Sequence, residues 1–392
     1  MNVCLPKHEF EERIVKVQKI MQREGYDVLL SYGNEAEPQY CRYFCNYWPS
    51  FETAGVLIPA EGKPLLLIGP ESYTYASDRS VISDIRLLKA FRESSEPEYP
   101  GKKLDTFTSV FDEILGNKKI NRIGVAGLPL MTIGVYNALK ESLVAYGSPE
   151  IENADRVVNE LRMIKTENEL KCMRAAADIT HKAFDDLLTK IKPGMTECQA
   201  IGYALQKIHE LGAERESYPF WILTGQGSDQ AISRARHKII QPGDAAHIQI
   251  GARVDGYAST IGRCVVFGKA TDEQRRLIEA GYALHQMVLD TAKEGMPAKE
   301  LALKHKALAE KLGYGDWVLY GPCHGNGTME GEAPWVETSA DFNLKENMTF
   351  SLDIFLGSNE KHLGLRIEDV IRITKTGVEN LTNYPKEIFE IL

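Results

Sequence analysis

The sequence predicts two domains: an α/β domain over residues 1–155 and an α+β domain over residues 156–392 that is built from two similar halves. Three observations lead there. The chain has 392 residues, more than one ordinary core accommodates at roughly 150 residues per domain. Up to Asp155 it alternates strand-like and helix-like runs, and beyond Asp155 helix signals recur in pairs at a fixed offset.

The elements follow in order. An amphipathic stretch over 9–24 reads as a helix, and Val28-Leu29-Leu30 closed by Gly33 reads as a strand. Apolar runs at 54–58 and 64–68 flank the turn-forming Pro59-Ala60-Glu61-Gly62-Lys63, and further strands are expected at 85–90 and 122–127, with helices at 105–115 and 131–146. After Asp155 the character changes. Thr166 stands three residues before Glu169 and opens a long amphipathic run to Ile191, the spacing of a capping box. Thr196 with Gln199 opens a second helix after the break Pro193-Gly194-Met195, and that helix stops at Leu211-Gly212. Thr271 with Gln274 opens a third, Gly295-Met296-Pro297 breaks it, and the next stops at Leu312-Gly313. Gly194 and Gly295 are 101 positions apart, and so are Gly212 and Gly313, which predicts an internal repeat of a helix pair followed by strands.

Composition excludes several function classes. Hydrophobic residues at 43% and charged residues at 26% fit a globular protein rather than a disordered or fibrous one. Forty-six Lys+Arg against 55 Asp+Glu leave a formal charge of -9 without a long basic run, so nucleic acid is not an expected partner. Lys7, His8 and Glu9 stand where a secretory signal needs apolar residues, and no stretch reaches the roughly 18 apolar residues of a membrane span. Seven scattered cysteines without a Cys-x-x-Cys pair fit reduced thiols, so the expected location is cytoplasmic, with no membrane partner.

The predicted strands hold the chemistry. Runs at 245–253 and 257–267, joined by Val254-Asp255-Gly256, and runs at 348–356 and 365–374 each alternate between two faces. One face carries Ile248, Ile250, Phe350, Leu352, Ile354 and Ile367; the other carries His247, Gln249, Thr260, Ser351, Asp353, Arg366 and Glu368. A sheet packed on helices by its apolar face would turn the second set toward a cavity.

Several segments carry a family likeness: Leu161-Arg162-Met163-Ile164-Lys165-Thr166-Glu167-Asn168-Glu169, Lys192-Pro193-Gly194-Met195-Thr196-Glu197, Gln241-Pro242-Gly243-Asp244, Asp255-Gly256-Tyr257 with Arg263, His324-Gly325-Asn326-Gly327 and Arg366-Ile367-Glu368-Asp369. In order and spacing, over nearly the whole chain, these resemble the creatinase, prolidase and aminopeptidase P family. The resemblance implies a "pita-bread" carboxy-terminal domain with an internal pseudo-twofold repeat. It also implies a homodimer in which one subunit's amino-terminal domain borders the partner's site, with the aromatic segment Tyr43, Phe44, Tyr47, Trp48 and Phe51 in that position.

Metallopeptidases of the family hold two divalent ions with two Asp, one His and two Glu, and this sequence departs from that set. Gln249 stands at the first Asp position and Thr260 at the second, His324 matches the ligand His, Asp353 replaces the first Glu and Glu368 matches the last. The remaining two negative charges cannot balance two divalent ions. Gly331 also stands where the peptidases carry a His before Glu332-Ala333-Pro334. Creatinase resembles this pattern in working without a metal, yet Ile232 occupies its catalytic His position, so creatine is not the expected substrate.

The main expectation is therefore a metal-independent, cofactor-free hydrolase of a C–N bond in a small charged molecule. One alternative is an Xaa-Pro dipeptidase or aminopeptidase P-like enzyme with one ion on His324, Asp353 and Glu368; another is an inactive homologue that binds a small molecule or a partner. His324, Glu368 and Asp353 are the expected catalytic groups, since imidazole titrates near neutrality and paired carboxyls separate their proton affinities. His247 and His237 are further acid/base candidates. Arg234, Arg236, Trp221, His247, Tyr257, Glu332 and Arg366 are expected to bind substrate, with Arg offering a fork to carboxylates and Trp a face to cations. Cys264 and Cys323 lack an evident base and are expected to be inert.

Overall fold

The computed structural model describes residues 3–93, 99–116 and 118–392. The chain divides into two compact units, Pro6–Arg162 and Met163–Leu392, the latter joined by the residues up to Leu5. The first unit ends later than the expected 155 because Asp155–Arg162 forms a helix whose buried Val157 and Val158 enter this unit's core.

In the first unit, strands run across the sheet in the order Ile85–Leu87, Leu65–Ile68, Ala54–Pro59, Val28–Gly33, Ile123–Ala126 and Ile151–Asn153. Both faces are covered, as the unbroken apolar runs require. Leu29, Val56, Ile58, Leu66 and Ile68 enter one core, and Val28, Leu30, Leu57, Leu65 and Leu67 enter the other. Short helices at Gln39–Cys45 and Tyr73–Arg79 escape sequence reading, being too short to display a helical period. Tyr43, Phe44 and Tyr47 are buried in the unit's own core, whereas Phe51 is 84% exposed.

The second unit is an α+β layer of the expected kind. Helices Glu167–Lys190 and Glu197–Glu210 pack their apolar stripes on Ile248, Ile250 and Ile261. Helices Asp272–Thr291 and Ala298–Lys311 do the same on Phe350, Leu352, Ile354 and Ile367. Thr166, Thr196 and Thr271 all form full capping boxes; Pro297 takes the fourth cap without a side-chain bond. Gly194, Gly212, Gly295 and Gly313 all have positive φ, at 92°, 91°, 83° and 83°. Gly212 and Gly313 follow the C-caps Leu211 and Leu312 and stop those helices, while Gly194 and Gly295 turn the chain between the helices of each pair, so the two halves match.

The long sheet runs Glu332–Val336, Cys323–Gly325, Thr349–Ser358, Leu363–Ile373, Tyr257–Phe267, Ala245–Val254 and Arg215–Glu216. Register sets the polar face: Asp353 lies opposite Glu368, Glu368 opposite Gly262, and Gly262 opposite Gln249. Gly262 makes this row possible, because a Cβ there would stand 2.9 Å from the Glu368 Cβ. Among the described residues no helix is long and apolar enough to cross a membrane.

Candidate active site

The polar face of the long sheet closes one side of a cavity of about 300 Å³. Trp221, Gln249, His324, Asp353 and Arg366 line it, together with Tyr218, Tyr320, Glu330 and Trp335. Glu368 is fully buried behind this lining, opposite Asp353 in the sheet, and Gln249 donates its amide to Glu368 Oε2. Burial, then the Glu330 and Asp353 carboxylates, push the Glu368 carboxyl well above its ordinary range.

Arg366 organises one side. Its guanidinium donates to Gln249 Oε1 at 2.9 Å, the Tyr320 hydroxyl at 2.7 Å and the Ala231 carbonyl at 2.6 Å, and it lies 3.5 Å from Asp353 Oδ2 and 4.7 Å from the Trp221 ring centroid. Tyr320 in turn donates to Asp353 Oδ2 at 2.7 Å. Asp353 thus has a resident cation and a resident donor on one oxygen. Among the described residues no donor reaches Asp353 Oδ1, Glu368 Oε1 or the Tyr218 hydroxyl, all buried.

His324 and Glu330 form the other side. The His324 Nδ1 stands 3.1 Å from the Gly325 carbonyl, which assigns the ring hydrogen to Nδ1 and leaves Nε2 facing Glu330 Oε1 at 3.6 Å. Ser351 donates to the same Glu330 oxygen at 3.2 Å and is itself bonded by Asn326 at 3.1 Å. Ligand atoms of His324, Glu330 and Glu368 all lie within 4.8 Å of one another.

Other expected substrate contacts sit elsewhere. Arg236 forks onto the buried Glu197 at 3.0 and 2.7 Å, because that carboxylate needs a cation to remain inside. Tyr257 donates to Glu169 at 2.6 Å. Glu332 pairs with the buried Lys165 at 3.0 Å and accepts from the Met329 amide at 3.1 Å, so it shapes the loop that presents Glu330. Arg234 and His237 are exposed outside the cavity lining. His247 is fully buried beside Phe355; burial, then Arg366, push its ring down to about 3, which removes it as a neutral-pH acid. Cys264 and Cys323 are buried, and burial pushes the Cys264 thiol up to about 12. Glu330, Tyr218, Tyr320 and Trp335 escaped the sequence reading; the one signal for Glu330 was its place in the loop between His324 and Glu332.

Two metal ions do not fit this donor set. Gln249 spends its amide on Glu368 and Arg366, and the Thr260 hydroxyl faces Ser217 at 3.4 Å. One ion fits: an imidazole and two carboxylates converge, and Glu368 Oε1 is buried there without a donor.

Known proteins resemble the chain along nearly its full length. The family model of metallopeptidase family M24 matches residues 171–375, and that of the creatinase/prolidase N-terminal domain matches residues 13–164. An Xaa-Pro dipeptidase of Pyrococcus furiosus is 27% identical over 96% of this chain and 99% of its own length. An Xaa-Pro dipeptidase of Lactobacillus delbrueckii subsp. lactis is 28% identical over 95% and 97%. Among solved structures, the prolidase from Pyrococcus horikoshii OT3 aligns with a TM-score of 0.82 at 25% identity, covering 96% of this chain and all of that one (100%). The X-Pro aminopeptidase from Thermotoga maritima MSB8 gives a TM-score of 0.83 at 23% identity over 96% and 99%, a likeness of fold.

Proposed function

The chain belongs to metallopeptidase family M24, and from that membership we propose that it is a hydrolase cleaving an amide-type C–N bond in a dipeptide-sized molecule of the Xaa-Pro kind. The observation that carries this reading is the convergence of His324, Glu330 and Glu368 within 4.8 Å, the first two of them lining a cavity of about 300 Å³. A divalent ion held there would supply Lewis-acid polarisation of the scissile carbonyl and a water activated near neutral pH. The chain's own groups do the rest. Arg366 and Tyr320 hold Asp353 in place on one flank, and Trp221, Tyr218 and Trp335 supply aromatic walls.

A metal-independent hydrolase of a small charged molecule is the second reading. It is favoured by the Gln249 amide on Glu368 and by the raised proton affinity of that carboxyl, which suit a proton donor. Gly331, close to His324, leaves the position before Glu332 without an imidazole, so substrate handling differs from that of the peptidases under either reading. A homodimer belongs to the same proposal. Exposed Ile232 and Trp335 at the cavity offer apolar surface to a second copy. So does a cytoplasmic location, which the seven free cysteines support.

The test is a panel assay of the full-length protein, with and without added manganese. Xaa-Pro dipeptides are followed for proline release, and guanidino, ureido and cyclic amidine acids for ammonia, urea or amine. Manganese-dependent proline release is the expected result. Turnover of only the second group, unchanged by chelator, would transfer the assignment to the metal-independent reading.

A further inference from the structure

The sequence-level alternative puts a single ion on His324, Asp353 and Glu368, but the side chains group differently. Three features define the ligand set; the first and third single out Glu330 instead of Asp353, while the second marks Glu368 and is shared by Asp353 Oδ1.

The first is the pairing of acceptors. With its hydrogen on Nδ1 toward the Gly325 carbonyl, a neutral His324 ring turns its Nε2 lone pair to Glu330 Oε1 at 3.6 Å. Two acceptors facing each other repel unless something positive sits between them. A shared proton would draw them to about 2.8 Å, whereas two donors each about 2.1 Å from one ion at a near-tetrahedral angle stand roughly 3.4 Å apart.

The second is the buried, donorless oxygen. Glu368 is fully buried and its Oε1 meets no donor among the described residues, while its Oε2 is held by the Gln249 amide. Gln249 is itself fixed, because its carbonyl accepts from Arg366 at 2.9 Å. It therefore orients Glu368 without ligating, the outer-shell role that metal sites commonly give to such a neighbour. Ser351 and Asn326 do the same for Glu330.

The third is charge. Asp353 already faces the Arg366 guanidinium at 3.5 Å and accepts from Tyr320, so a second cation on it would meet Arg366 at close range. Glu330 and Glu368 together offer one divalent ion two carboxyl ligands.

We propose that His324 Nε2, Glu330 and Glu368 form a mononuclear site for a divalent transition-metal ion, with Glu330 in the place the sequence pattern offers to Asp353. The site lies in the pocket on which the proposed hydrolase activity rests, but its test reads binding and needs no turnover.

Full-length protein stripped with chelator and dialysed is titrated with manganese chloride by calorimetry and with cobalt chloride by visible absorption. The native chain is expected to bind one ion. Glu330→Gln, close in shape to the native side chain, is expected to weaken binding about 100-fold, and His324→Ala at least as much, whereas Asp353→Asn stays within about 3-fold. Circular dichroism melting of each variant identifies any that fails to fold, and the comparison of Glu330→Gln with Asp353→Asn is read only on folded protein; Glu330→Ala and Asp353→Ala replace either one that is not. Absence of binding by the native chain, a stoichiometry of two, or a loss in the Asp353 variant equal to or larger than that in the Glu330 variant would overturn the proposal. Ion binding without turnover of any Xaa-Pro dipeptide would refute the activity and leave the site standing; turnover by a native chain that binds no ion would do the reverse.

Discussion

Buried charge decides which polar residues reach the cavity. Asp353 and Arg366, which line the cavity, were legible from strand alternation, His324 from the family pattern, and Trp221 only from the cation-binding chemistry of its ring. Arg236, Tyr257 and Glu332 were misplaced for a physical reason: each is consumed by an opposite or complementary group far away in sequence, Arg236 by Glu197 across 39 residues, Glu332 by Lys165 across 167 and Tyr257 by Glu169 across 88. Such pairing leaves no periodic trace. Glu330 was invisible for the converse reason, since it reaches the centre through a loop whose path depends on the Lys165–Glu332 pair. At this scale His324→Ala and Glu368→Gln are each expected to lower kcat/KM by about 10²- to 10⁴-fold on whichever substrate the panel identifies. Neither should move the melting temperature far, because His324 stands at a cavity wall and Glu368→Gln keeps the size and shape of the buried side chain. His247 gives a different expectation. Its ring titrates at about 3 in the folded chain against 6.5 for a freely solvated imidazole, so the stabilisation from its neutral form is complete above pH 6.5 and is lost as pH falls toward 3. Proton NMR of the His247 ring should show no titration between pH 5 and 8, and a midpoint near 6.5 would refute its burial.

The elements follow local sequence closely where a cap or a left-handed glycine marks them. Three Thr capping boxes lie where the Thr-x-x-Glu/Gln spacing puts them, and the pairs Gly194/Gly295 and Gly212/Gly313 share a left-handed conformation at the 101-residue offset, because these signals act within one turn and need no tertiary partner. Helices Gln39–Cys45 and Tyr73–Arg79, and the edge strand Glu332–Val336, lack such marks and are held by their neighbours. Thr271→Ala removes a side-chain oxygen that accepts from the Gln274 amide at 3.2 Å. It should cost about 1 kcal/mol in equilibrium urea unfolding, and an unchanged midpoint would mean that tertiary packing alone fixes that helix start.

Two units with separate cores carry the function in one of them, since every lining residue of the candidate site falls within Met163–Leu392. The fold class was legible at this scale because alternation in the first unit and repetition in the second are long-range patterns that survive local ambiguity. The association state was not legible from composition and rests on the family resemblance. Light scattering is expected to give twice the chain's 43.9 kDa, and a mass equal to one chain would remove the homodimer from the account. The central claim, a C–N hydrolase working with one ion, is tested most directly by the rate of proline release from an Xaa-Pro dipeptide as manganese is added stepwise to the stripped full-length protein. The rate is expected to rise with the ion-to-chain ratio and to level at one. A rate independent of the ratio, or one that keeps rising to two, would contradict it.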